Sequence, residues 1–133
     1  MRIIAAIAMA IWTVSGGLAL ADGDASSGEK IFSKCKSCHM VGENAKTRIG
    51  PSLNGIVDRP WGGIEGFNYS PALKELAATG RVWDETTLDA YLKKPKDVIP
   101  RGRMVFPGLV QPEQRADIIA YLRQFDANGV MAK

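Results

Sequence analysis

The sequence predicts a small all-α protein of a single domain, built from four to five short helices and no sheet. Three observations carry this expectation. Helix start and stop signals recur at short intervals along the chain, no stretch alternates apolar and polar residues for the length of a strand, and the chain is long enough for one modest core only.

At the N-terminus, Met1 and Arg2 precede an uncharged, largely apolar run, residues 3–21, that closes on Ala19, Leu20 and Ala21. This is the pattern of a secretory signal peptide, with cleavage expected before Asp22. The run also has the length of a membrane anchor, but Ser15, Gly16 and Gly17 ahead of a small-residue cleavage site favour removal. Removing residues 1–21 from the 133 leaves 112, a single domain over residues 22–133. No second apolar run of spanning length follows, so no permanent membrane insertion is expected.

The first helix is expected to start at Ser26, whose hydroxyl and Glu29 form a capping box, and to present Ile31, Phe32 and Cys35 on one side. Residues 42–53 read as loop. Ser70 with Pro71 opens a second helix that Gly80 closes, and Asp84 caps a third, through Leu88, Tyr91 and Leu92, that must stop before Pro95. The Pro- and Gly-containing stretch from Pro95 to Gly108 reads as irregular. Pro112 starts the last helix, with an apolar face of Ile118, Tyr121, Leu122 and Phe125. Helices this short are marginal alone and need a shared apolar centre.

Cys35 and Cys38 are the only cysteines. The pair could be a thioredoxin-like dithiol, half of a zinc site or a haem attachment point. His39 follows Cys38 directly, and Cys-x-x-Cys-His is the haem-attachment signature. Two thiols at this spacing can add to the vinyl groups of one porphyrin while the next imidazole reaches the iron. A dithiol site would need a βαβ pattern, which is not visible, and a structural zinc site would want four Cys or His ligands, which the chain does not possess. One covalently bound haem c is therefore expected, and it supplies the apolar centre that the short helices need.

His39 is the only histidine, so it is the proximal ligand and a bis-histidine haem is impossible. Met1 and Met9 leave with the signal segment, Met40 adjoins His39 on the wrong face, and Met131 lies in a short polar tail. Met104, inside the irregular stretch, remains as the distal ligand.

After processing, 16 Lys plus Arg (Arg2 removed) stand against 14 Asp plus Glu, a balance of only +2 that gives no reason to expect a nucleic-acid partner. The distribution is less even. Residues 30–40 carry Lys30, Lys34 and Lys36 with no acid, and residues 93–103 carry Lys93, Lys94, Lys96, Arg101 and Arg103 against Asp97 alone. These segments hold the two axial ligands, so Lys34, Lys36, Lys96, Arg101 and Arg103 are expected to form a basic face at the haem edge that steers acidic surfaces of redox partners.

The ordered set Gly28 with Phe32, Cys35 to His39, Gly50-Pro51-Ser52-Leu53, Arg59, Phe67 with Tyr69, Trp83, Tyr91-Leu92 with Pro95, Met104 with Phe106 and Gly108, and Ile119-Ala120-Tyr121-Leu122 resembles the class I c-type cytochromes, most closely bacterial periplasmic relatives of mitochondrial cytochrome c. The match runs from about Ser26 to Phe125. The resemblance implies the cytochrome c fold. It implies that Gly28 lets the first helix cross the last with Phe32 packed on Ile118 and Tyr121, and that the Pro51 carbonyl accepts the proximal imidazole's other proton. It also implies that Arg59, Tyr69 and Trp83 serve the haem propionates and that Tyr91 bonds near the Met104 sulfur. Three positions depart from the family pattern. Pro100 is followed by Arg101, Gly102 and Arg103 where Pro-Gly-Thr-Lys is common, Asp97 stands where lysine is frequent, and Leu73 where asparagine often sits.

The function so implied is one-electron transfer by a monomeric periplasmic carrier, from a quinol-oxidising cytochrome bc complex or a dehydrogenase to a terminal oxidase or reductase. A dedicated cytochrome subunit of a dehydrogenase would use the same haem site. A haem peroxidase would need an open iron position and a distal acid or base, and no second histidine is present for that role.

Overall fold

A computed structural model describes residues 22–133; the signal-peptide expectation for residues 1–21 lies outside the described residues. Five α-helices follow in order, α1 (Ala25–Ile31), α2 (Pro71–Ala77), α3 (Glu85–Lys93), α4 (Pro95–Val98) and α5 (Pro112–Arg123), with a single 3-10 turn, Phe32–Lys34, directly after α1. The described residues contain no strand, only isolated antiparallel bridges at Pro60 with Val82 and Phe125 with Met131. None of their helices is long and apolar enough to cross a membrane.

The first helix begins one residue earlier than expected and is capped differently. Asp24, not Ser26, is the N-cap: its carboxylate accepts from the Ser27 amide at 2.7 Å. The Asp24 amide is in turn held by the Asp117 carboxylate of α5 at 2.7 Å. A full negative charge at a helix N-terminus satisfies an orphan amide and opposes the dipole, which a neutral serine hydroxyl does less well. The helix is also shorter than expected, tightening into the 3-10 turn before Cys35.

Helices α1 and α5 cross at Gly28, where a Cβ would overlap the carbonyl of Asp117 and press on Tyr121 Cβ. That approach seats Phe32, 2% exposed, beside Ile118, which is wholly buried. The Phe32 and Tyr121 rings lie 5.6 Å apart, and Phe125 meets Tyr121 edge-on at 5.2 Å. Phe125 does so from beyond the helix end, because α5 stops at Arg123. The tail expected to be merely polar folds back there, so that Met131 bridges Phe125.

The remaining helices follow their sequence signals. Ser70 caps α2 through the Leu73 amide at 3.1 Å, with Pro71 in its first turn. Asp84 caps α3 through the Thr87 amide at 2.7 Å. Lys94 is extended, as a residue before proline should be, and ends α3. The stretch from Pro95, expected to be irregular throughout, opens with the one-turn helix α4, since a proline at the first helical position has no amide to leave unsatisfied.

Because the obstruction at Gly28 is backbone, it cannot move aside like a flexible side chain. Gly28→Val is expected to lower the stability of the holoprotein by about 2–3 kcal/mol. The check is a guanidinium unfolding curve whose midpoint falls while its slope is retained.

Candidate haem site

The Cys-His motif is coiled into one compact turn. The amides of Cys38 and His39 both donate to the Cys35 carbonyl, at 3.1 and 2.9 Å, and the Cys35 amide donates to Phe32 at 2.8 Å. Burial and the neighbouring Cys38, opposed by Lys34, push the Cys35 thiol up to about 11. That is opposite to the lowered thiol of a dithiol oxidoreductase, which works as a thiolate.

Residues 48–54 are laced over this turn. Gly50 donates to Cys38 at 2.9 Å, Leu53 to Met40 at 3.0 Å, and the Arg48 guanidinium to the Lys36 carbonyl at 3.1 Å. The Asn54 amide grips both backbone groups of Gly42, each at 2.9 Å. Within this lacing, His39 Nδ1 lies 2.7 Å from the Pro51 carbonyl oxygen. A carbonyl can only accept, so Nδ1 carries the hydrogen and Nε2 keeps its lone pair. Burial, helped by the Arg59 charge and opposed by the Pro51 bond, holds the imidazole below its usual pKa, so it is neutral and ready to ligate. A Cβ at Gly50 would collide with the imidazole ring.

Met104 is half-buried, and its Sδ accepts from the Tyr91 hydroxyl of α3 at 3.4 Å. Burial pushes the Tyr91 phenol up to about 12, so it remains a donor at ordinary pH. The chain leaving Met104 is anchored on both sides. Leu109 donates to Leu92 at 2.8 Å, and Gly108 passes so close to the Lys93 carbonyl that no Cβ would fit. Arg115 of α5, 5% exposed, bonds the carbonyls of Leu109 and Val110 at 2.9 Å each and the Asp89 carboxylate at 2.7 Å. The arginines that depart from the family pattern tie this segment toward α2: Arg103 donates to the Asn68 carbonyl at 3.1 Å and Arg101 pairs with Glu75 at 3.3 Å.

The remaining expected site residues form one aromatic and cationic wall. Trp83 is buried, stacked on Trp61 at 4.4 Å and packed on Tyr91 at 4.9 Å. Tyr69 is buried, and its phenolic oxygen accepts from the Ile64 amide at 3.0 Å, which leaves its own proton to donate. Arg59 is no surface residue. One of its terminal nitrogens donates to the carbonyls of Ser52 and Asn54 at 2.9 and 3.0 Å, while Nε is buried without a partner and burial lowers the pKa. A buried cation with a spare donor suits a carboxylate, and a haem carries two. The donor set therefore fits the group: one imidazole nitrogen, one thioether sulfur, two thiols in a coiled turn and an unmet guanidinium donor.

The cytochrome c family pattern matches residues 25–126. The chain belongs to the cytochrome c family. It is 46% identical over 118 residues to cytochrome c-554 of Methylosinus trichosporium, covering 89% of this chain and 87% of that protein. Against cytochrome c2 of Rhodomicrobium vannielii it is 48% identical over 112 residues, 84% of this chain and 85% of that one. The solved structure of cytochrome c2 from Rhodospirillum centenum superposes with a TM-score of 0.74 at 36% identity, covering 78% of this chain and 99% of that chain. Cytochromes c bind haem c covalently through a cysteine pair, here Cys35 and Cys38, and this cytochrome is a small single-haem electron carrier rather than an enzyme.

Sequence reading gave Gly50 no role of its own and passed over Arg48, Asn54 and Trp61. Arg48 and Asn54 act through backbone carbonyls that no motif reveals. Trp61 was detectable as an aromatic two positions after Arg59, which in an extended segment shares its face. In this cytochrome, Gly50→Ala should displace the imidazole from the Pro51 carbonyl. The expected result is a loss of about 1–3 kcal/mol in holoprotein stability, together with altered His39 resonances in the magnetic resonance spectrum of the ferric form.

Proposed function

We propose that this cytochrome is a diffusible periplasmic carrier whose iron is held between His39 and Met104. The observation that carries this reading is that two would-be axial atoms are each aimed by a hydrogen bond from a different part of the fold. Pro51 orients the imidazole and Tyr91 the thioether. Met131, the other methionine in the carboxyl-terminal half, instead lines a hollow with Ala25, Glu29 and Tyr121 on α1 and α5.

When bound, the haem supplies a one-electron ferric–ferrous couple. His39 would hold the iron through Nε2 and Met104 through its sulfur, so protein atoms would take the positions that a substrate would need. A thioether ligand favours the ferrous state, and the Tyr91 hydroxyl draws further electron density from that sulfur. Arg59, Tyr69 and Trp83 serve the propionates. The export-signal pattern of residues 1–21 and the bacterial relatives support a periplasmic location, between a quinol-oxidising complex or dehydrogenase and a terminal oxidase or reductase.

Lys34, Lys36, Lys96, Arg101 and Arg103 are all exposed and would form the docking face. Arg101 and Arg103 are already engaged by Glu75 and the Asn68 carbonyl, whereas the three lysines form no ion pair among the described residues. Val105, beside Met104, is 97% exposed, and Ile49, beside Gly50, is 78% exposed. Apolar groups flanked by cations suit a small patch that excludes water under a charged rim.

Met104→Ala should abolish the weak red-edge band of a methionine-ligated ferric haem and let the ferrous form bind carbon monoxide; a wild-type spectrum in that variant would refute Met104 as ligand. Electron transfer to an acidic partner should slow steeply with added salt, because steering acts over about a Debye length, ~8 Å at physiological ionic strength. A rate indifferent to salt would remove the basic docking face.

A further inference from the structure

Beyond α5 the backbone reverses. The Ala132 amide donates to Gln124 at 2.9 Å, Asp126 to Val130 at 3.0 Å and Gly129 to Asp126 at 3.0 Å, around the Phe125–Met131 bridge. Bonds in this order close a three-residue hairpin loop whose last residue is left-handed, and Gly129 has a φ of 79°. The exposed Asp126 side chain fixes the loop from within, its Oδ1 accepting from the amides of Asn128 at 2.8 Å and Val130 at 2.9 Å.

The turn is packed against the loop that follows the haem-attachment motif. Gly129 is buried between exposed neighbours, and a Cβ on it would overlap the Gly42 carbonyl and press on Asn54 Nδ2. Those two groups are bonded to each other at 2.9 Å. Beside them the Gly55 amide donates to Phe125 at 3.1 Å, and a Cβ on Gly55 would sit tightly against Ala127. The turn therefore backs both halves of the clamp that joins residue 42 to residue 54. That clamp borders the proximal ligand's partner: the Asn54 amide donates to Ser52 Oγ at 3.2 Å, and Ser52 follows directly on the Pro51 carbonyl that orients His39. Resting on the haem reading above, we infer that Asp126 is a positioning residue for the proximal ligand. It shapes the turn that seats Gly129 against Gly42 and Asn54, and through them it holds the Pro51 carbonyl at His39 Nδ1.

The sign follows from the imidazole. A proton shared with a carbonyl makes the ring a stronger donor to iron, which favours the ferric state. Loosening that bond raises the potential. Removing the Asp126 charge would raise it as well, whatever happens to the turn, so geometry and charge have to be separated. Asp126→Asn drops the charge and keeps an oxygen that can accept from both amides. Asp126→Ala loses both.

The test is redox titration of wild-type, Asp126→Asn and Asp126→Ala holoprotein, with magnetic resonance of the ferrous forms carrying isotope-labelled histidine, which reports His39 alone because the chain has no other. In Asp126→Ala the ferrous-to-ferric ratio at a fixed ambient potential should rise about threefold, the effect of weakening one hydrogen bond. The His39 Nδ1 proton should exchange with solvent about tenfold faster, as the loop opens more often. Asp126→Asn should exchange as the wild type does and lie nearer to it in potential. Wild-type exchange in Asp126→Ala overturns the inference even if stability falls, since the turn would then only close the fold. So does an Asp126→Asn protein that matches Asp126→Ala, which would assign the effect to charge. The red-edge band of the wild type reports the Met104 ligation separately, so its absence would refute the axial assignment and not the role of Asp126.

Discussion

The close crossing of α1 and α5 at Gly28 is the constraint on which the rest of the molecule depends. Without a Cβ there, the Asp117 carbonyl lies against the α1 backbone, Asp24 caps α1 while bonded to α5, and Phe32 is driven between Ile118 and Tyr121. The 3-10 turn that carries Cys35 starts at that same Phe32. The position of the haem-attachment turn is thus inherited from the crossing of α1 and α5.

Most of the chain between the two ligand-bearing segments is not helical, and it is held by side chains bonded to backbone rather than by secondary structure. Asn54 grips Gly42, Arg59 spans Ser52 and Asn54, Arg48 reaches Lys36, and Arg115 clamps Leu109 and Val110. Two of these are arginines drawn inward, Arg115 with carbonyls and the Asp89 carboxylate on its donors and Arg59 with two carbonyls on one terminal nitrogen. The fan of donors on one planar group satisfies several loop carbonyls at once, which a lysine could not do. Rigid loops matter to an electron carrier because any rearrangement between oxidation states adds to the barrier for transfer.

Polarity around the site is graded in a way that suits this task. The imidazole and Tyr91 are half-buried and neutral. Fixed donors gather on the Arg59 to Trp83 wall, and the mobile lysines stay at the surface. Charge that must be compensated once, in the folded interior, is separated from charge that must be compensated anew with every partner.

Local signals sufficed for α2, α3 and α5, because a capping serine or aspartate and a proline in the first turn act within a few residues of themselves. The Cys35–Cys38–His39 motif was equally legible, since attachment chemistry demands that spacing; elimination among the methionines left Met104, and the family resemblance then pointed to Pro51 and Tyr91. The cap of α1 was misread because Asp24 and Ser26 are both competent locally, and it is Asp117, some ninety residues away, that holds Asp24 in place. Trp61 was missed for the same reason. A tryptophan near a turn reads as core, and only the pairing of residues 58–61 with 81–83 stacks it on Trp83. The sequence by itself thus determined α2, α3 and α5, the haem-attachment motif and the candidate ligands. Which donors converge on one point in space was decided only by the tertiary structure, because that convergence depends on contacts between segments far apart in the chain.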